Sequence, residues 1–319
     1  MPQGIIAYNP NAGRFPSRIL TERARHVLSL YGWQLSLEQT MSGDHTTQLA
    51  RQAADEGLDA FFIAGGDGSV NQAMMGLVGS GTALGVLPCG TANVWAQELG
   101  LPGLSWTRWM ALEESARRLA SAKVCKVDIG LCNQRPFLLW AGVGLDAFVV
   151  HHLEPRSRWE KHFALAHYGA SIVWHASYWH GMNIRVETDG SQILGHFLLA
   201  LVSNVHLYAG GFANLSPHAR LDDGLMDLWL FKGETLGDTV QRVLDLLAGR
   251  HIQSEWVHQV QFRSLRLESE SPAYVQVDGE PNDVVNPVTI VVQPRALRVL
   301  VPENTPQPLF DPDQPCESE

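Results

Sequence analysis

The chain has 319 residues, 45% of them hydrophobic and 18% charged, with a formal net charge of −10. This is the composition of an ordinary soluble globular protein, long enough for about two domains of ~150 residues. The acidic excess argues against a nucleic-acid partner and against membrane binding through a basic surface.

Cys89, Cys125, Cys132 and Cys316 show no paired metal-ligand spacing, so four free thiols are expected. No leader is expected ahead of the first strand, and no apolar run in the sequence approaches the ~20 residues of a membrane helix. The expected compartment is therefore the cytoplasm, with contact at the inner membrane face at most peripheral.

Gly4 to Tyr8 reads as a strand running into the turn Asn9-Pro10-Asn11-Ala12-Gly13. A helix from about Pro16 follows, then an alternating strand from Gln34 to Glu38 that delivers Thr40 at its end. A second helix starts near Asp44. Ala60 to Ala64 is a short apolar strand, and Gly65-Gly66-Asp67-Gly68-Ser69-Val70-Asn71 follows it directly. Val70, Met74, Leu77 and Val78 recur at helical spacing, so this turn opens a helix. A glycine turn there aims backbone N–H groups and the helix dipole at a ligand, and a phosphate is the natural guest. Asp67 would repel that anion unless a cation lies between them or a hydroxyl is giving up its proton. A tight turn capped by Ser69 is the plainer alternative.

Ala83 to Leu87 is a fourth strand, ending in Pro88-Cys89-Gly90-Thr91-Ala92-Asn93. Helices are expected around Val94 to Leu99 and from Ser105 to Ala120. Alternating strands and helices predict a parallel sheet covered on both faces, with ligands at the carboxyl ends of its strands. Asn9, Thr40, Asp67 and Thr91 each lie just past a strand end, so four turns would share one edge. The P-loop pattern and its lysine are missing, so bound phosphate would rely on backbone donors and Mg²⁺.

From about Lys126 the pattern changes to strand-like runs at 136–140, 183–188, 193–203, 225–231, 258–262, 265–270, 273–277, 288–292 and 297–301. These predict an antiparallel sandwich or curved sheet. Helical insertions are expected at 156–178 and 234–249. The first is rich in aromatic residues and suits either a lipid surface or packing on the sheet. Arg220-Leu221-Asp222-Asp223-Gly224-Leu225 offers the oxygen ligands that Mg²⁺ favours, or a plain surface turn. Val277-Asp278-Gly279-Glu280 holds two carboxylates that would face one side if the strand continued, or else forms a hairpin.

Taken together, these stretches resemble the diacylglycerol kinase catalytic-domain family, and most closely its bacterial soluble lipid kinases, which are related to sphingosine kinases. The resemblance rests on residues 9–13, Thr40, 65–71, 88–93 with 98–102, 127–130, 141–146, Asn204 with 208–211, 222–225 and 277–280. These run in family order across nearly the whole chain. It implies an α/β domain like that of NAD kinases and phosphofructokinases over 1–124. A β-sandwich acceptor domain over 125–302 and a frayed tail over 303–319 would follow.

It also implies an ATP- and Mg²⁺-dependent kinase acting on the hydroxyl of a diacylglycerol-type lipid. Asn9, Pro10, Asn11, Ala12, Gly13, Thr40, Gly65, Gly66, Asp67, Gly68, Ser69, Val70, Asn71 and Thr91 would hold the nucleotide. Arg220 and Leu225, through carbonyls, and Asp223 would hold a structural Mg²⁺. Asp278 or Glu280 would take the hydroxyl proton, with the preference for Glu280, and Asp67 would sit at the catalytic metal. The implied partners are a lipid at a membrane surface, met transiently, and a second copy of the chain. An NAD kinase-like enzyme and a non-catalytic nucleotide- or lipid-binding module are the alternatives.

Overall fold

The structure is a computed structural model describing residues 1–10, 17–152, 179–306, 308–312 and 316. Its chain forms two units. The first takes Met1–Ile129, Arg220–Asp223 and Pro294–Glu319, and the second takes Gly130–Ala219 and Gly224–Gln293.

In the first unit, strands and helices alternate: β1 (Gln3–Tyr8), α1 (Ser17–Leu30), β2 (Gln34–Gln39), α2 (Gly43–Asp55), β3 (Ala60–Gly65), α3 (Asp67–Leu77) and β4 (Ala83–Pro88). The short α4 (Val94–Glu98) and α5 (Ala111–Ala120) follow. The strands pair in parallel in the order β2-β1-β3-β4. Every residue of β3 and β4 is buried, as a parallel strand covered on both faces requires. That is why their sequences are continuous apolar runs. The last helix is shorter than the 105–120 expected, because Ser105 and Arg108 close a hydrogen-bonded turn ahead of it.

The second unit is antiparallel. β5 (Lys123–Cys132) leads into it and is followed by β6 (Arg135–Phe137), β7 (Trp140–Gly144), α6 (Leu145–His152), β8 (Met182–Thr188), β9 (Ser191–Phe197) and β10 (Leu199–Ser203). Then come the two-residue strands β11 (Leu207–Tyr208) and β12 (Ala213–Asn214), β13 (Met226–Phe231), α7 (Leu236–Leu247) and β14 (Val257–Phe262). β15 (Ser264–Ser269), β16 (Val275–Val277), β17 (Glu280–Pro281) and β18 (Val288–Val301) complete it, the end of β18 returning to the first unit. One sheet runs β14-β13-β10-β7-β16-β17. The first half of β18 pairs with β15, β15 with β8 and β8 with β9. Alternate residues of both sheets meet in one core that includes the fully buried Phe137, Phe197 and Phe262. Each such side chain stabilises the fold by about 1.5–3 kcal/mol.

Several expectations need correction. The run 193–203 is two strands, because the chain changes sheets at Leu198. β9 pairs with β8, and β10 with β7 and β13. The run 136–140 is also divided, since the N–H groups of residues 138–140 turn to a buried carboxylate described below. Conversely, 288–292 and 297–301 are one strand, and α6 is a helix beyond those expected from the sequence. The thiols are not all free: Cys125 and Cys316 form a disulfide, while Cys89 and Cys132 remain free and buried. The tail does not simply fray after Pro302. Leu309 is buried and its carbonyl accepts the Leu221 N–H at 2.8 Å. The division is also not three consecutive segments, because 220–223 and 294–319 return to the first unit. The expected aromatic helix at 156–178 lies outside the described residues.

Candidate active site

In the first unit the parallel order brings the ends of β2, β1, β3 and β4 along one edge. Backbone bonds continue the ladder past the strands: Thr40 N–H to the Tyr8 carbonyl (3.0 Å), Asn9 N–H to the Ala64 carbonyl (3.2 Å) and Cys89 N–H to the Gly65 carbonyl (3.0 Å). The expected convergence of Asn9, Thr40, the 65–71 turn and the 90–93 turn is therefore present. Asn11, Ala12 and Gly13 lie outside the described residues. Pro10 and Thr91 are exposed. Thr40 is buried, with its hydroxyl donating to the Tyr8 carbonyl at 3.3 Å.

The two glycine turns touch backbone to backbone. A Cβ on Gly90 would lie 2.5 Å from the Gly66 Cα, so no side chain fits between them. Asn93, in a left-handed conformation, closes the second turn: its Oδ1 accepts the Gly90 N–H at 2.8 Å and its Nδ2 donates to the Gly90 carbonyl at 3.0 Å. Across the junction, Asp67 Oδ1 accepts the Trp95 N–H at 3.1 Å, so the carboxylate caps the start of α4. Burial pushes the Asp67 carboxyl above its ordinary range, while the N–H groups of Val94 and Trp95 pull against it. The carboxylate is thus both a tie between turns and a desolvated acid.

Helix α3 begins at Asp67 with no side-chain cap from Gly66. Ser69 is instead folded over Gly65, where a Cβ would meet its Oγ at 2.7 Å. Gly68 is exposed, and nothing lies within 4 Å of where its Cβ would be. Val70 and Asn71 are buried, so their part is to seat the helix. An uncapped helix start beside an exposed, side-chain-free glycine is a fit for a phosphate group. The neighbouring Cys89 is no nucleophile there, since burial pushes its thiol up to about 12.

The 220–225 turn is pinned from two sides. The Leu221 carbonyl accepts the N–H of buried Asp128 at 2.6 Å, and Asp222 Oδ1 accepts the Asp311 N–H at 2.9 Å. Arg220 reaches Asp311 Oδ1 at 3.6 Å. Burial raises the Asp222 carboxyl above its ordinary range. Gly224 is left-handed (φ 72°), which turns the chain between Asp223 and Leu225. Among the described residues no three His, Cys, Asp or Glu side chains gather as a metal cage. The Arg220, Asp223 and Leu225 set would rest on one carboxylate and two carbonyls, all oxygen, as Mg²⁺ prefers.

In the second unit, Asp278 (φ 49°) and Gly279 (φ 80°) are consecutive left-handed residues, and Val277 pairs with Glu280. That is a two-residue Asp-Gly hairpin, so the strand does not continue and the two acids do not share a face. Asp278 turns inward. Its Oδ2 accepts the Leu138 N–H at 3.0 Å, and its Oδ1 accepts those of Leu139 (2.9 Å) and Trp140 (3.0 Å). Glu280 is exposed. The hairpin is steadied by Gln276, whose Oε1 accepts the Gly279 N–H at 2.8 Å while its Nε2 donates to Asp146 Oδ2 at 2.7 Å.

Replacing Asp278 with alanine orphans these three N–H groups. Unsatisfied buried donors cost about 1–3 kcal/mol each, so a loss of roughly 3–5 kcal/mol is expected in urea unfolding. A loss below about 1 kcal/mol would contradict the role of the carboxylate as the organiser of residues 138–140.

Asn93, Asp128, Asp146 and Gln276 are further residues that hold these turns and that residue patterns alone do not assign to the site. Asn93 could have been suspected, since asparagine tolerates the left-handed region and opens helices. Asp128 and Asp146 fall inside stretches that carry the resemblance, but the bonds that place them, from Arg295 N–H to Asp128 Oδ1 (2.6 Å) and from Gln276 Nε2 to Asp146 Oδ2 (2.7 Å), span remote positions that no local pattern marks.

A profile described as the diacylglycerol kinase catalytic domain matches residues 3–132. A second, described as the YegS C-terminal NAD kinase beta sandwich-like domain, matches residues 140–301. A diacylglycerol kinase of Bacillus subtilis (strain 168) is 27% identical over 98% of this chain and 100% of its own length. A protein of Chromohalobacter salexigens named "probable lipid kinase YegS-like" is 30% identical over 86% of each chain. A solved diacylglycerol kinase structure from Bacillus anthracis str. Sterne superposes with a TM-score of 0.69. It is 19% identical, covers 98% of this chain and 97% of that one, and speaks to the fold alone.

Proposed function

This chain belongs to the diacylglycerol kinase catalytic-domain family, and on that premise we propose that it transfers the γ-phosphate of ATP to the hydroxyl of a diacylglycerol-type lipid. The observation that carries the reading is the Gly66–Gly90 junction with Asp67 bound across it, at the shared edge of four strand ends. Residues 9–13, Thr40, 65–71 and Thr91 would hold the nucleotide there, mainly through backbone donors. Bound Mg²⁺ would supply the positive charge that lets Asp67 and a triphosphate be neighbours. Arg220, Asp223 and Leu225 would hold a second, structural ion.

Glu280 is the base in this reading. Its exposed side chain can meet an incoming hydroxyl, whereas both Asp278 oxygens already accept backbone N–H groups. Its task would be to orient the lipid hydroxyl and accept its proton as the phosphoryl group moves. Since no helix among the described residues is long and apolar enough to cross a membrane, contact with the lipid would be peripheral and transient. The reading places the enzyme in the cytoplasm.

The test is transfer of labelled γ-phosphate to diacylglycerol, phosphatidylglycerol, a sphingoid base, a prenol and NAD, in mixed micelles with Mg²⁺. Label should appear in a glycerolipid. Label in NAD alone would make the chain an NAD kinase, and ATP binding without transfer to any acceptor would make it a binding module.

A further inference from the structure

The 220–223 turn is held from two sides, and the disulfide joins its two holders to each other. On one side is β5, where the N–H of Asp128 donates to the Leu221 carbonyl at 2.6 Å. On the other is the C-terminal segment. There the Leu309 carbonyl accepts the Leu221 N–H at 2.8 Å, and the Asp311 N–H donates to Asp222 Oδ1 at 2.9 Å. Cys125 belongs to β5 and Cys316 to the C-terminal segment, 191 positions apart. Their bond therefore ties one support of Leu221 to the other.

What holds the C-terminal segment without that bond is modest. Leu309 is buried, and Pro306 packs on Gly100, where a Cβ would lie 2.8 Å from the proline ring. Arg220 meets Asp311 at 3.6 Å, but both side chains are partly exposed, and such pairs contribute little. Charge works the other way. Asp311 lies beside Asp222, and the chain after Arg298 carries acids but no Lys or Arg. These contacts must offset the entropy of ordering an acidic, proline-rich chain end. The cross-link removes much of that cost, because Cys316 can no longer leave β5.

The bond is also reachable. Cys125 is buried, whereas Cys316 is half-buried, so a thiolate can approach the Cys316 sulfur. The other thiols do not compete for it: burial pushes Cys89 and Cys132 up to about 12, so neither supplies a thiolate at neutral pH. Disulfides inside cells are usually transient and redox-sensing, which suits the cytoplasmic reading of this enzyme.

We propose that Cys125–Cys316 is a redox latch, which clamps the C-terminal segment on the 220–223 turn when oxidised and releases both when a dithiol reduces it. The attacking thiolate bonds to Cys316 Sγ, the S–S bond breaks, and Cys125 leaves as a thiolate that takes up a proton. The second thiol of the reductant then displaces Cys316. The dithiol ends as a cyclic disulfide, and its two electrons and two protons end on the cysteines. As regulation of the kinase, the latch rests on the function proposed above, because this turn carries Arg220 and Asp223 of the proposed Mg²⁺ set.

The experiment is hydrogen exchange of the full chain with and without dithiothreitol, with alkylation and mass spectrometry reporting the state of each cysteine. Protein purified in air should leave Cys125 and Cys316 unalkylated, and reduction should expose both. The amides of Leu221 and Asp311 should then exchange about 10²-fold faster, while those of β3 stay protected, and reoxidation should reverse the change. Cys316→Ser should match the reduced wild type and ignore the reductant. If that variant does not fold, Cys125→Ala serves, and the reduced wild type remains the test in either case. Alkylation of both cysteines before reduction overturns the proposal. So does a change in exchange below about threefold, or an equal loss of protection in β3. Reduction should also raise the Mg²⁺ concentration that half-stabilises the protein against heat. Released amides at an unchanged Mg²⁺ midpoint would keep the latch and remove Arg220 and Asp223 as ion ligands.

Discussion

Glu280→Gln should reduce kcat by about 10²–10⁴-fold, the usual worth of a positioned general base. The amide keeps the size of the side chain and removes only the ability to take a proton. Because Glu280 is exposed at the end of the Asp-Gly hairpin, the variant should unfold as the wild type does. The KM for ATP should stay within about twofold, since in the proposed reading the change touches a group that would act on the acceptor alone. Asp278→Asn is the informative partner. An amide cannot accept on both sides as the carboxylate does, so this variant should lose stability first and activity as a consequence. Turnover within about tenfold of wild type in Glu280→Gln would remove Glu280 from the mechanism. A loss confined to Asp278→Asn, at unchanged stability, would move the base to Asp278.

Asp67→Asn is expected to separate activity from stability in the opposite sense. Turnover should fall by about 10²-fold or more, because the proposed reading has this charge facing metal-bound phosphates and the asparagine lacks it. Stability of the nucleotide-free protein, measured with a chelator present, should be equal or higher. The physical reason is the burial that raises Asp67 above its ordinary value near 3.8. The folded state then holds the Asp67 proton more tightly than the unfolded chain does. Its contribution is therefore least favourable above the folded pKa and improves as pH falls from there towards 3.8. The asparagine variant lacks that slope, so its advantage should shrink as pH is lowered through the same window. Asparagine can still accept the Trp95 N–H, which keeps the junction closed. Turnover within about threefold of wild type would remove Asp67 from the reaction.

The parallel unit could be read from the chain because its signals are local. β3 is a continuous apolar run stopped by glycines, and α3 starts where the glycines end. The Asp-Gly pair at 278–279 is equally local, since Asp-Gly is itself a hairpin signal. Other features depend on distant partners. The break at Leu198 arises because one apolar run serves two sheets, and nothing in its own composition marks the change. Cys125 and Cys316 stand 191 positions apart and show no spacing that predicts a bond.

The parallel and antiparallel halves, the glycine turns at the strand ends and the family to which their order belongs are all legible in the residues alone. Periodicity and turn chemistry act within a few residues, so they survive without the fold. That Asp278 faces three backbone donors while Glu280 faces solvent, and that α7 turns Arg242 and Asp245 inward while Leu236, Leu244 and Leu247 stay exposed, follows from the packed fold alone. Which way a side chain faces depends on what packs against it, and those neighbours come from remote parts of the chain.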